Sequence, residues 1–110
     1  MNDHPHLALH PLRLVTIVAE TVLRDRITRR LLDCGATGFT VTQSTGRGSR
    51  GARTGDIPGQ GVRIEVLVPE EVAVAILEEV AERYFADYAV IAWVTEVQVV
   101  RGAKYVRSPA

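Results

Sequence analysis

The sequence is poor in sulfur, with one cysteine, Cys34, and one methionine among 110 residues. A single cysteine cannot form an internal disulfide, so the fold has to rest on its apolar core, and a reducing compartment suits it. Charge of one sign is also missing, because thirteen basic side chains balance thirteen acidic ones. No global field draws such a chain to nucleic acid or to an anionic membrane, and an anion site must come from local clustering. Long hydrophobic runs are absent too. The longest uncharged apolar stretch, residues 88–95, is far short of the roughly 20 residues that a spanning helix needs. The first ten residues hold three histidines and an aspartate and lack the apolar segment of a signal peptide, so the expectation is a soluble, cytoplasmic protein. His4, His6 and His10 lie in proline-punctuated text without a carboxylate framework. Residues 1–11 are therefore read as a disordered tail, with no metal site assigned.

What is present fits one ordinary globular domain: 46% hydrophobic and 24% charged residues in a length that supports one core. Leu12 to Ala19 (LRLVTIVA) is apolar on both faces and rich in β-branched residues, which reads as a buried strand. A helix follows. Thr21 is its expected N-cap, Leu23, Ile27 and Leu31 form its apolar stripe, Arg24, Asp25, Thr28 and Arg29 point elsewhere, and Gly35 stops it. Arg24, Arg26, Arg29 and Arg30 read as its solvated face. Residues 37–44 (TGFTVTQS) read as a half-buried strand with Phe39 and Val41 on one face. Val62 to Val68 alternates cleanly, with Val62, Ile64, Val66 and Val68 on one side.

Pro69, Glu70 and Glu71 open a second helix, whose stripe runs Val72, Ala73, Ile76, Leu77, Val80, Ala81, Tyr84. An aromatic connector, residues 85–88, leads to a last strand over 89–100 and a basic tail. Tyr84, Phe85 and Tyr88 read first as anchors of the helix end, and Trp93 as an interface or core residue. The order strand, helix, strand, strand, helix, strand predicts an α+β, ferredoxin-like fold: a four-stranded antiparallel sheet with two helices on one face. That arrangement leaves the second sheet face uncovered. Since the first strand and residues 90–94 are apolar on both sides, an oligomer is expected.

Residues 45–61 differ from everything around them, with six glycines, three arginines and one proline. Glycines let successive backbone N–H groups converge on an anion, and Ser49, Arg50 and Arg53 add a hydroxyl and two guanidinium forks. A solvated surface loop explains the same composition, and the two readings stand side by side. Gly46, Gly48 and Gly51 match GxGxxG, but Pro58 and further glycines follow where a dinucleotide-binding fold needs a helix.

Residues 38–48 (GFTVTQSTGRG) with 62–68 (VRIEVLV) resemble the second strand, T-loop base and third strand of PII signalling proteins. The resemblance is closest to the PII-like branch associated with carboxysomes and bicarbonate transport, the SbtB type included, through GRGSR at 46–50 and YFADY at 84–88. It covers Leu12 to about Lys104 and so implies a domain over 12–104, a T-loop at about 45–61 and a short tail over 105–110. It implies a trimer with an adenine nucleotide between neighbouring subunits and a T-loop that reports ligand state to a partner, a bicarbonate transporter or a carboxysome component being the candidates. Thr40 and the backbone of Leu67 would hold the adenine, and Gly48, Ser49 and Arg50, with Gly46 in the same segment, would meet the phosphates. Asp87 and Tyr88 would form the B-loop, while Arg101 and Lys104 would reach the phosphates from the C-terminal segment. Bicarbonate would bind beside the nucleotide, with Arg47, Arg50 or Arg53 as partners.

Three departures from the pattern refine this. The loop lacks the tyrosine that uridylylated PII proteins carry, and residues 84–88 lack the glycine-lysine phosphate grip. ADP or AMP, with cyclic AMP as a further candidate, is therefore expected in place of ATP with 2-oxoglutarate. The tail lacks paired cysteines, so neither a redox switch nor a linked hydrolase activity is expected, and no catalytic residue is assigned. An RNA-binding ferredoxin-like domain is the alternative of a different class, but the first and third strands carry none of the aromatics on which bases stack. An acylphosphatase-like enzyme needs a phosphate cradle after the first strand, where only Glu20 and Thr21 stand. A trimeric metal-tolerance protein needs a cysteine or histidine cluster outside the tail.

Overall fold

The computed structural model describes residues 7–46 and 60–100. β1 spans His10–Ala19, and a 3-10 turn, Thr21–Leu23, leads into α1, Arg24–Asp33. β2 (Thr40–Ser44), β3 (Gly61–Val68), α2 (Glu70–Tyr84) and β4 (Val90–Val99) follow. The strands form one sheet in the order β2-β3-β1-β4, and every neighbouring pair is antiparallel. β3 separates β1 from β2, and β1 separates β3 from β4, so two split βαβ units interleave as the ferredoxin-like fold requires.

The period-2 alternation sorts the sheet. Val15, Ile17 and Ala19 of β1 and Val62, Ile64, Val66 and Val68 of β3 are buried against Leu23, Ile27 and Leu31 from the first helical segment and Ala73, Ile76, Val80 and Tyr84 of α2. Burying each large aliphatic side chain contributes on the order of 1.5–3 kcal/mol. This single cluster is the core that the lone cysteine leaves to do the work of a disulfide.

Four local expectations are corrected. Thr21 does not cap α1: it opens the 3-10 turn, and the N-cap position of α1 is Leu23, with no side-chain cap bond at either start. Thr28 is buried and not turned to solvent. Its Oγ1 donates to the carbonyls of Arg24 at 2.9 Å and Asp25 at 3.2 Å, which satisfies the hydroxyl inside the helix. β2 starts at Thr40, leaving Phe39 outside the strand and exposed while Val41 packs on the core. The tail gives up two residues to β1, where His10 and Pro11 pair with Val99 and Gln98 of β4 alone. β3 begins to pair only at Arg13, so Pro11 sits where β1 has one neighbour and its missing N–H costs no second ladder bond.

Both helix ends follow their sequence signals elsewhere. α1 closes through a Schellman arrangement: the Ala36 N–H donates to the Leu31 carbonyl at 3.0 Å and the Gly35 N–H to Leu32 at 3.1 Å. Gly35 has φ 113°, which a side chain would strain. Pro69 stands just before α2 with φ −64° and ψ 163°, and Glu70 and Glu71 fill the first turn.

Candidate functional site

Strand register decides which loops meet. Ala19 pairs with Val62 on one side and with Val90 on the other, and Ser44 pairs with Gly61. The two stems of the long loop, the β1–α1 turn and the α2–β4 connector therefore all lie at one end of the sheet. Two contacts lock this end. The Ala89 N–H donates to Glu20 Oε2 at 2.6 Å, which brings a buried carboxylate to the connector's last residue. Gly61 passes so close to β1 that a Cβ on it would lie 2.8 Å from the Ala19 carbonyl oxygen, so the loop stem requires a residue without a side chain.

The connector is itself ordered by backbone. The Tyr84 carbonyl accepts from the N–H groups of Asp87 at 3.3 Å and Tyr88 at 3.0 Å. Tyr84 is buried, and Tyr88 meets it edge to face with ring centroids 6.0 Å apart, a favourable arrangement of the two quadrupoles. The anchoring role expected of the aromatics thus holds for Tyr84 and Tyr88, whereas Phe85 is exposed. Arg26 reaches over from α1: its Nη1 donates to the Tyr88 hydroxyl at 3.3 Å, and its Cζ lies 5.9 Å from the ring centroid. The hydrogen bond to Tyr88 holds the guanidinium's pKa above its ordinary value.

Thr40 and Leu67 occupy a different place. Thr40 pairs with Glu65, so the side chains of Thr40, Glu65 and Leu67 share the face away from the helices. β1 and β4 continue that face with Leu12, Leu14, Thr16 and Val18 and with Ile91, Trp93, Thr95 and Val97. Ile91 is 60% and Trp93 39% exposed. Arg63 lies across this face with its Cζ 5.5 Å from the Trp93 ring centroid, a cation–π contact. Beside it, Thr16 is buried and its Oγ1 has no hydrogen-bond partner among the described residues.

The structure therefore brings Asp87 and Tyr88 to the loop end and sets Thr40 beside Leu67, but it separates the two pairs. Leu67 lies five residues along β3 from Val62 at the loop end, roughly 17 Å of strand. Gly46 is exposed and a side chain there would touch nothing within 4 Å. Arg47, Gly48, Ser49, Arg50, Arg53, Arg101 and Lys104, with His4, His6 and the tail over 105–110, lie outside the described residues.

The arginines of α1 are not a uniform solvated face. Arg30 pairs with Glu79 of α2 at 3.1 Å and with Asp33 at 3.4 Å, and Glu79 also takes Arg83. Glu20, Arg26 and Arg63 are the site-end and open-face residues that sequence reasoning missed. Parity along β3 already turned Arg63 away from the core, but Glu20 and Arg26 find partners 69 and 62 residues away, which no local pattern encodes. Among the described residues no three His, Cys, Asp or Glu side chains gather as metal ligands, and no helix is long and apolar enough to cross a membrane.

The strand register brings the stems of a long glycine-arginine loop, a tyrosine-bearing connector and the β1–α1 turn to one end of a ferredoxin-like sheet. Comparison with known proteins gives the family. A family model for the nitrogen regulatory protein P-II matches residues 12–104, and the chain belongs to that family, whose members are regulatory. A PII-like signalling protein from Thermus thermophilus is 48% identical, with 91% of this chain and 100% of that chain covered and a TM-score of 0.79. CPII, a nitrogen regulatory PII-like protein from Thiomonas intermedia in a structure bound to ADP, AMP and bicarbonate, is 26% identical, with 92% and 99% covered and a TM-score of 0.79. A DUF3240 family protein from Shewanella baltica, 18% identical with 78% and 89% covered and a TM-score of 0.62, shares the fold alone.

Proposed function

We propose that this chain is a cytoplasmic PII-like regulator that binds ADP or AMP at clefts between the subunits of a trimer, with bicarbonate as co-ligand. Cyclic AMP is the remaining candidate for the same cleft. The 45–61 loop would carry the signal to a protein partner in inorganic-carbon metabolism or transport, as in the carboxysome-associated branch. The observation that carries this reading is the separation within one subunit of Thr40 and Leu67 from Asp87 and Tyr88. A second copy that brings its own loop end against the open face would let one nucleotide meet both pairs. The apolar side chains on that face, Ile91 and Trp93 foremost, support the same assembly. The ligands of CPII support the nucleotide class.

Regulation would follow from order. Holding a glycine-rich loop of this length in one conformation is entropically costly, so a ligand that orders part of it lowers what partner binding must still order. Titration calorimetry with ADP, AMP, cyclic AMP and ATP, each with and without bicarbonate, tests the ligand, and light scattering tests for a mass three times 12.0 kDa. Arg50→Ala is expected to weaken nucleotide binding while the trimer survives. A monomer that binds none of the four nucleotides would end this reading.

A further inference from the structure

We propose that Arg26, on the first helix, is a phosphate-facing cation of the nucleotide site, supplying at the α2–β4 connector the positive charge that the connector itself lacks. This rests on the nucleotide reading above. Residues 85–89 carry one charged side chain, the carboxylate of Asp87. Alone, it would repel a phosphate. The cation nearest in sequence, Arg83, is engaged by Glu79. Arg26 instead projects from α1 onto Tyr88, with one N–H on the hydroxyl at 3.3 Å and the guanidinium over the ring.

Its remaining donors have no partner among the described residues. A guanidinium carries five N–H groups in a planar fork, and the Tyr88 hydroxyl takes one. Arg13, Arg24, Arg30, Arg63 and Arg83 all pair with carboxylates, but Arg26 has no carboxylate partner among the described residues. Its side chain is exposed and lies at the end of the sheet where the stems of the 45–61 loop emerge. The bond from Ala89 to Glu20 ties the connector to the β1–α1 turn, from which α1 and Arg26 follow directly. A guanidinium held against an aromatic ring, with further N–H groups available, is a geometry suited to phosphate.

The test is calorimetric titration of ADP into the wild-type protein, Arg26→Ala, Arg26→Lys and Arg29→Ala, with light scattering and thermal melts on each. Arg29 is one turn along on the same exposed face and serves as the control for loss of a positive charge without loss of the connector contact. Arg26→Ala is expected to weaken ADP binding by about tenfold, Arg26→Lys to recover most of that loss, and Arg29→Ala to stay within about twofold of wild type. Oligomeric mass and melting temperature should not change in any variant. Arg26→Ala binding ADP as tightly as a binding-competent wild type would overturn this inference alone, as would equal losses in Arg26→Ala and Arg29→Ala. A wild-type protein that ignores ADP would instead remove the nucleotide reading and this inference with it.

Discussion

The carboxylate of Glu20 accepts the backbone N–H of Ala89 at 2.6 Å across 69 residues of sequence. It closes the β1–α1 turn onto the connector that carries Asp87 and Tyr88. Because Glu20 is 7% exposed, removing the acceptor strands a part-buried donor, at a cost of about 1–3 kcal/mol. Glu20→Ala should lower stability by that amount in chemical denaturation, and Glu20→Gln, which keeps an acceptor oxygen, should lose less. Equal losses in the two variants would show that the bond to Ala89 is not what stabilises this turn.

Gly61 is held by proximity and not by dihedral angle. The atom that a Cβ would meet is the backbone oxygen of Ala19 in the neighbouring strand, which cannot rotate away. Gly61→Ala should therefore destabilise by about 1–3 kcal/mol, the usual range for overpacking. Gly46→Ala, where a side chain meets nothing within 4 Å, should stay within about 0.5 kcal/mol. Denaturant midpoints of the two variants measure the difference directly.

The open sheet face should fail in a way the core does not. Ile91→Glu and Trp93→Glu place a charge where a second copy is proposed to pack, and each forfeits an apolar contribution on the order of 1.5–3 kcal/mol. Light scattering should then show a smaller mass while far-ultraviolet circular dichroism keeps its helix and strand signal. A multimer of unchanged mass in both variants would relocate the interface. Trp93 is the only tryptophan, so its emission in the wild type should also shift to the red on dilution as the face becomes wet.

Burial, and then the nearby charge of Glu79, push the Cys34 thiol above its ordinary value. The folded state therefore holds the proton more tightly than the unfolded state. Its contribution is fully present below the unfolded value of about 8.5 and is lost as pH rises from there through the folded value. Thermal melts between pH 7 and pH 10 should show a decline that is shallower in Cys34→Ala. Thiol-reactive dyes should label the native protein more slowly than the unfolded chain at pH 8.

The regular elements were legible in the sequence because their signals are local. Val62 to Val68 alternates every second residue, and the stripe through Ala73, Ile76 and Val80 recurs at the helical period, so a core face follows from spacing alone. Gly35 announced the end of α1 for the same reason: its φ of 113° is a property of one residue. The misread points were those where a distant segment overrode the local text. Thr37 and Phe39 have strand-like neighbours, yet the ladder to β3 starts only at Thr40. His10 and Pro11 look like a tail, yet β4 is long enough to pair with them. The candidate site was legible only in its loop and connector. The connector and the loop stood out by composition, but Arg26 looked like one arginine among four until the fold laid it on Tyr88.

By itself, the sequence determined the order of the elements, the buried face of each and the position of the glycine-arginine loop, since all three follow from the periodicity and torsional preferences of neighbouring residues. Only the tertiary structure decided that this loop, the connector and the β1–α1 turn share one end of the sheet, and that Thr40 and Leu67 lie away from them. Strand pairing sets those relations through hydrogen bonds between residues far apart in the chain, and a one-residue change of register would have turned Thr40 and Leu67 to the opposite face.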